Sequence, residues 1–279
     1  MSAYNGKTRV IPIVNNKGGS SKSTTCINLG AALAREGKFV LLIDFDAQAN
    51  LTLSIMKRIG LKGPTVREFI AGKRSLEETT QRYYDNLHIM PATISLHDIE
   101  AAMAANYVKL PDSKKHTVNY YLRSALDKID TVYDYVLIDC SPNAKSFMVK
   151  NALAASTEIF IPTTPDILSL RGALFMQEVV RNEILRINPS TGITGVIVSN
   201  FIPSRILFNG MLKQIKKRFD PLVFKTTIRN SIKIPEAQGV GMTIFDYKPY
   251  STSGQDFTEL AKEVISMEDW VTIRNLKKK

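Results

Sequence analysis

The feature that most constrains this chain is a break in an apolar run. Residues 9–14, Arg-Val-Ile-Pro-Ile-Val, read as a strand. They give way to Asn15-Asn16-Lys17-Gly18-Gly19-Ser20-Ser21, and a helical stretch opens at Lys22-Ser23-Thr24 and reaches residue 35. Small residues between a strand and a helix let backbone N–H groups face a single anion, and the helix start adds the positive end of its dipole. Lys22 can then reach the outer phosphates of a nucleotide, and the Ser23 hydroxyl can ligate Mg²⁺. The plainer alternative is a flexible Gly/Ser turn, which the strand before and the helix after argue against. Ser21 stands just before the lysine where glycine is usual, so the backbone conformation required there carries a cost.

The same alternation continues along the chain. Runs at 39–44, 135–139, 158–162 and 192–199 are nearly continuous apolar segments, as expected of parallel strands covered on both faces. Helical stretches are expected at 144–155, 168–185, 205–218 and 254–266. The fold class expected is therefore α/β: a three-layer, doubly wound, mostly parallel sheet of the P-loop NTPase type. A single domain over 1–279 is expected, with an irregular helical insertion at about 57–130 and a basic tail at 270–279. Neither of the two cysteines, Cys26 and Cys140, belongs to a Cys-x-x-Cys pair. That excludes a disulfide framework and points to a reducing cytoplasm. No apolar run is long enough to span a bilayer.

Two further segments carry carboxylates. Phe39-Val-Leu-Leu-Ile-Asp44-Phe-Asp46 ends a strand in two acids, and Tyr135-Val-Leu-Ile-Asp139 ends another. Ligands of open parallel sheets bind at the carboxyl ends of the strands, the edge that also carries the phosphate loop. Acids there can organise Mg²⁺ and the attacking water of hydrolysis, whereas a turn-capping role is the simpler reading of each alone.

Taken together, Lys17-Gly-Gly-x-x-Lys22-Ser23-Thr, the Asp44-x-Asp46-x-Gln48 segment and the strand ending in Asp139 resemble the ParA/MinD ATPases with their deviant Walker A loop. Ala47 and Ser141 stand where that family often has proline. The segments 162–172, 195–205 and 234–247 extend the resemblance to about residues 8–266. It implies ATP and Mg²⁺ as cofactors, with nucleotide bound by Lys17, Gly18, Gly19, Ser20, Ser21, Lys22, Ser23 and Thr24, and with Asn200 as the adenine contact. Ser23, Asp44 and Asp139 are implied for the metal, and Lys17, Lys22 and Asp46 for catalysis. Asp46 would position the water, and Lys17 would cross to the phosphates of a second subunit. Cys140, without a second cysteine at ligand spacing, is read as a small buried residue.

Charge supplies the remaining signal. Lys plus Arg number 37 against 26 Asp plus Glu, a net +11, which suggests a polyanionic partner. Between residues 201 and 235 eight cations face one acid. Lys213, Lys216 and Lys217 recur at helical spacing. Alone, such a stripe reads as a solvated helix face. The resemblance instead implies non-specific double-stranded DNA binding by Arg205, Lys213, Lys216, Lys217, Arg229 and Lys233, with the last two matching the family's DNA-contacting arginines. The expected protein is thus an ATPase that homodimerises on ATP, binds DNA and drives plasmid or chromosome segregation. A ParB-like centromere-binding protein would stimulate its slow hydrolysis, and the protein would be cytoplasmic and nucleoid-associated. The alternatives are a MinD-like membrane-cycling ATPase, for which the tail Trp270–Lys279 is a weak candidate anchor, and a non-hydrolysing, nucleotide-switched scaffold on DNA.

Overall fold

The structure, a computed structural model, describes residues 8–127 and 132–267. The tail on which the membrane-docking expectation rests lies outside the described residues. Strands β1 (Arg9–Ile13), β2 (Val40–Phe45), β3 (Gln81–Tyr84), β4 (Leu87–Met90), β5 (Tyr135–Cys140), β6 (Ile159–Thr163) and β7 (Ile193–Val198) form one sheet. Its order is β3-β4-β2-β5-β1-β6-β7. Every described pairing is parallel except β3 with β4. The early helices are α1 (Lys22–Arg35), α2 (Asn50–Ile59), α3 (Val66–Ile70), α4 (Leu76–Thr79), α5 (Leu96–Lys109), α6 (Tyr121–Leu126) and α7 (Phe147–Ala155). They are followed by α8 (Ile167–Val179), α9 (Leu185–Ile187), α10 (Ile206–Phe219), α11 (Lys233–Gly239), α12 (Ile244–Tyr247) and α13 (Thr252–Ser266).

Side chains alternate along each strand and so fill two cores. Val136 and Ile138 of β5 join Leu41, Ile43 and Phe45 of β2 beneath α3, α5, α7, α8 and α10. Tyr135 and Leu137 join Val40 and Leu42 beneath α1, α2, α11, α12 and α13. This is the three-layer arrangement expected. Two parts differ from the sequence expectation. The stretch 57–130 is not only helical: β3 and β4 lie within it and extend the sheet past β2. Both strands are only four residues long and sit on either side of Asp85-Asn86, too short for periodicity to distinguish them from loop. The helix expected at 168–185 is α8 followed by one π-helical turn, Val180–Ile184.

At the amino-terminal ends of the central strands, Arg9 and Glu158 form a buried bidentate ion pair, with Nε to Oε1 at 2.5 Å and Nη2 to Oε2 at 2.7 Å. Arg9 Nη1 also donates to the Tyr135 hydroxyl and to the Val264 carbonyl of α13, and the Thr194 hydroxyl donates to Glu158. The pair clasps β1, β5, β7 and α13 at the edge opposite the phosphate loop. Removing one partner strands a buried charge, so Glu158→Gln should cost about 3–5 kcal/mol, read as a lower urea midpoint. The double variant Arg9→Met with Glu158→Leu should lose markedly less.

Candidate functional site

The sheet register builds the site. On β5, Asp139 lies beside Ile13 of β1 on one side and Asp44 of β2 on the other. Asp44 and Asp139 fall on the strand positions shared with Leu42 and Leu137, the face covered by α1. The first turn of α1 carries Lys22, Ser23 and Thr24. One sheet edge therefore gathers the loop, the helix start and the acids.

The loop has the geometry its small residues foreshadow. Gly19 has φ 73° and Ser21 has φ 66°. Ser21 occupies the left-handed region that glycine favours, at a cost of roughly 1 kcal/mol. Its hydroxyl accepts a 3.3 Å hydrogen bond from Asn200 Nδ2, so the candidate adenine contact borders the loop. Lys22 is buried and its Nζ donates to the Lys17 carbonyl at 2.9 Å, and Ser20 Oγ donates to the same carbonyl. Burial lowers the Lys22 pKa, while Asp139 chiefly opposes that shift. Lys17 points elsewhere. Its Nζ lies 3.1 Å from Asp166 Oδ1 and it is 30% exposed. The base of the loop is wedged against α8, where a Cβ on Gly172 would collide with Asn15 Oδ1 and crowd Lys17.

The acids differ in how they are held. Asp44 Oδ2 accepts from the Thr52 backbone N–H at 2.8 Å and from its hydroxyl at 2.7 Å, and Oδ1 accepts from the Asp46 N–H. Burial pushes Asp44 up to about 6 despite these bonds. Asp46 caps its own turn by accepting from the Gln48 N–H at 3.0 Å. Both oxygens of buried Asp139 lack a geometrically formed protein hydrogen bond. Burial and then Asp44 raise its pKa well above the ordinary carboxylate value, against the pull of Ser23 and Lys22. Unpartnered buried oxygens beside a loop hydroxyl suit a hydrated Mg²⁺, which keeps several waters and takes one or two carboxylates along with substrate phosphates. Among the described residues no cluster of three His, Cys, Asp or Glu forms a cage of its own. Cys26 and Cys140 are buried free thiols whose pKa burial raises, in keeping with a packing role.

The basic residues sit on segments whose apolar residues enter two different cores. On α10, Met211, Ile215 and Phe219 enter one core and leave Lys213, Lys216 and Lys217 exposed. Ile228 and Ile234, which flank Arg229 and Lys233, enter the other. Arg205 is exposed and stacks on Phe208. Arg229 is bound by Asp256 through Nη2 at 2.6 Å, and Lys233 by Glu236 at 2.8 Å. The sequence treats 201–235 as one patch because Ile228 and Ile234, which turn the chain to the second layer, look like any other apolar residues. Thr52 and Gln238 carry no signal in the sequence that marks them as site residues. Asp166 had a legible signal as an acid three residues before Ser169, whose N–H it caps.

Such a loop, with Asp139 and Asp44 at adjacent strand ends of a parallel sheet, defines a P-loop nucleotide-binding protein. A family model described as an AAA domain matches residues 8–193. The chromosome-partitioning ATPase Soj of Treponema pallidum (strain Nichols) is 33% identical over 267 residues, covering 94% of this chain and 98% of its own. The sporulation initiation inhibitor protein Soj of Bacillus subtilis (strain 168) is 31% identical over 257 residues, covering 92% and 98%. Among solved structures, cobyrinic acid a,c-diamide synthase from Mycobacterium smegmatis with bound ADP and magnesium is 25% identical, covers 93% of this chain and 95% of its own, and has a TM-score of 0.74. The chain belongs to this AAA-domain family and, within it, is a ParA/MinD-superfamily ATPase that hydrolyses nucleotide and uses ATP with Mg²⁺.

Asp139 trades stability for function. Its pKa is raised in the fold, so the native state holds a proton that the unfolded chain has released, and stability falls as pH rises through the folded value. Asp139→Asn should therefore raise the ligand-free unfolding free energy at alkaline pH relative to the native chain. The gain should vanish below the ordinary aspartate value near pH 4, and Mg²⁺-dependent nucleotide binding should weaken at every pH. Urea denaturation across a pH series checks the first claim and nucleotide titration with and without Mg²⁺ the second.

Proposed function

We propose that this ATPase drives segregation of a DNA molecule by cycling between an ATP-bound dimer that grips DNA and a monomer that does not. The observation that carries the reading is the division of labour between the two loop lysines. Lys22 is buried and turned onto its own loop, where it serves the phosphates of its own subunit. Lys17 sits on the half-exposed rim against Asp166, in a position to serve a nucleotide held by a facing subunit. Pairing of that kind makes the γ-phosphate the condition for dimerisation.

Mg²⁺, held through Ser23 and Asp139 with Asp44 supporting its waters, would neutralise charge building on the phosphates. The loop amides from Gly18 to Ser21 and the start of α1 hold the phosphate chain, with Thr24 in the first turn. Asp46, at the mouth of the strand ends, holds the attacking water in line. Asn200 contacts the adenine in this reading, which its hydrogen bond to Ser21 of the loop supports. Hydrolysis removes from each nucleotide the γ-phosphate that the facing subunit's Lys17 contacts, and the pair separates.

For DNA, the exposed lysines of α10 and Arg205 are the first contacts, since among the described residues the structure contains no ion-pair partner for them. Arg229 and Lys233 contribute after exchanging Asp256 and Glu236 for phosphates. Dimerisation doubles these contacts, which steepens both affinity and its salt dependence. In this cycle a ParB-like centromere-binding partner accelerates hydrolysis, and the protein is cytoplasmic and nucleoid-associated.

DNA retention measured with ATP, ADP and no nucleotide across a salt series tests the cycle. With ATP the affinity should fall with log salt at a slope near −0.9 per phosphate contacted, about twice as steep as without it. Equal retention in all three states overturns the proposal. Asp46→Ala should hold the ATP dimer on DNA beyond the lifetime of the native complex. Lys17→Ala should abolish ATP-dependent dimerisation in light scattering while nucleotide binding by the monomer persists. Unchanged dimerisation would remove the role of Lys17 in the facing subunit.

A further inference from the structure

We infer that Gln238 is a positioning residue: acting through Thr24, and with Lys57 holding the next carbonyl, it ties α11 to the nucleotide seat, so that occupancy of the seat bears on Lys233 at the other end of that helix. The nucleotide part stands on the geometry of the seat. The part concerning Lys233 rests on the proposed DNA-binding role of that residue.

Gln238 Nε2 donates to Thr24 Oγ1 at 3.2 Å. A hydroxyl has one hydrogen to give. With its oxygen already accepting from Gln238, the Thr24 hydrogen is left for a different acceptor. Thr24 stands in the first turn of α1, where phosphate oxygens are the acceptors that loading brings. A donor chain from Gln238 through Thr24 to a phosphate would be polarised in one direction, each bond strengthening the next. The adjacent residue is held independently, because Lys57 Nζ of α2 donates to the Gly239 carbonyl at 2.9 Å. Since α2 starts four residues after Asp46, the carboxyl end of α11 touches both the helix that follows the phosphate loop and the helix that follows the strand-end acids.

The other end of α11 begins at Lys233, whose Nζ is paired with Glu236, and Glu236 also accepts from the Tyr247 hydroxyl at 3.0 Å. Ile234 and Ala237 are buried between the two ends. A seven-residue helix is only about 10 Å long. With its middle packed, a shift at Gln238 is carried to Lys233 as a rigid movement instead of being absorbed by bending. A surface helix with no such task would leave its polar end to water. This one spends that end on two elements of the nucleotide seat.

The test uses the full chain and hydrogen exchange of the amides of residues 236–240, with and without Mg²⁺ and a non-hydrolysable ATP analogue. Loading should slow exchange of this segment by about tenfold in the native protein, as expected for one strengthened hydrogen bond. Gln238→Ala should remove the difference while leaving the exchange of β5 unchanged. Lys57→Ala alters an exposed side chain with little risk to folding, and should reduce the difference. No response of α11 in the native protein, or an equal response in Gln238→Ala, overturns the inference. In DNA retention, Gln238→Ala should narrow the ratio of ATP-bound to nucleotide-free affinity by about fivefold to tenfold. If native retention ignores nucleotide while the exchange response persists, the DNA-binding cycle falls and the tie between Gln238 and the seat stands.

Discussion

The structure depends on the register of three neighbouring parallel strands. Because β5 lies between β1 and β2 and all three run the same way, Ile13, Asp139 and Asp44 finish level with one another. The chain after each strand must then turn over the same edge. The loop after β1 meets the acids of β2 and β5 without any long-range search, and α1 begins above them. A slip of one residue in β5 would turn Asp139 to the opposite layer and put Cys140 in its place. The chemistry of the site thus follows from the same hydrogen-bond ladder that makes the sheet.

The two edges of the sheet handle buried charge in opposite ways. At the amino-terminal edge, Arg9 and Glu158 satisfy one another through two bonds, and Tyr135, Thr194 and the end of α13 complete the set. At the carboxyl edge, Asp139 is left without a protein hydrogen bond and Asp44 is held only by neutral donors. A buried charge without a partner is costly, and a cation with phosphates restores the balance. Binding energy from Mg²⁺ and nucleotide is available here because Ser23 and Lys22 offset only part of the cost that burial and Asp44 impose on Asp139. Ser21 adds to the same strain, since a side chain with φ near 66° is tolerated only where the loop requires it.

Much of this is legible in the sequence because the residues that build the seat are local to it. The loop, the acids and the strands that carry them each fall within a short window, and their apolar runs give the sheet its order of elements. What escaped the sequence is what depends on distant partners. The short strands β3 and β4 are defined by pairing with each other and with β2, and no periodicity of four residues identifies them. The role of Asp166 as resting partner of Lys17 needs the 149-residue separation to be closed in space. Gln238 and Thr24 are 214 residues apart. For the same reason the basic run divides between two layers, since only packing shows that Met211 and Ile234 belong to different cores.

That division changes how the cations can work. The α10 lysines stand over one layer and are open to an anion at any time, so they give a standing, salt-sensitive attraction to any polyanion. Arg229 and Lys233 are already engaged by Asp256 and Glu236, and a phosphate must displace a carboxylate before either can contribute. The Lys233–Glu236 pair is exposed at both ends and weak, whereas Asp256 is buried and holds Arg229 through several bonds, so releasing Arg229 leaves a buried carboxylate to be satisfied. The unpaired lysines supply attraction that tracks nucleotide state only through the number of subunits that present them. The paired residues, on the layer that also contains α1 and α2, are where state dependence can enter.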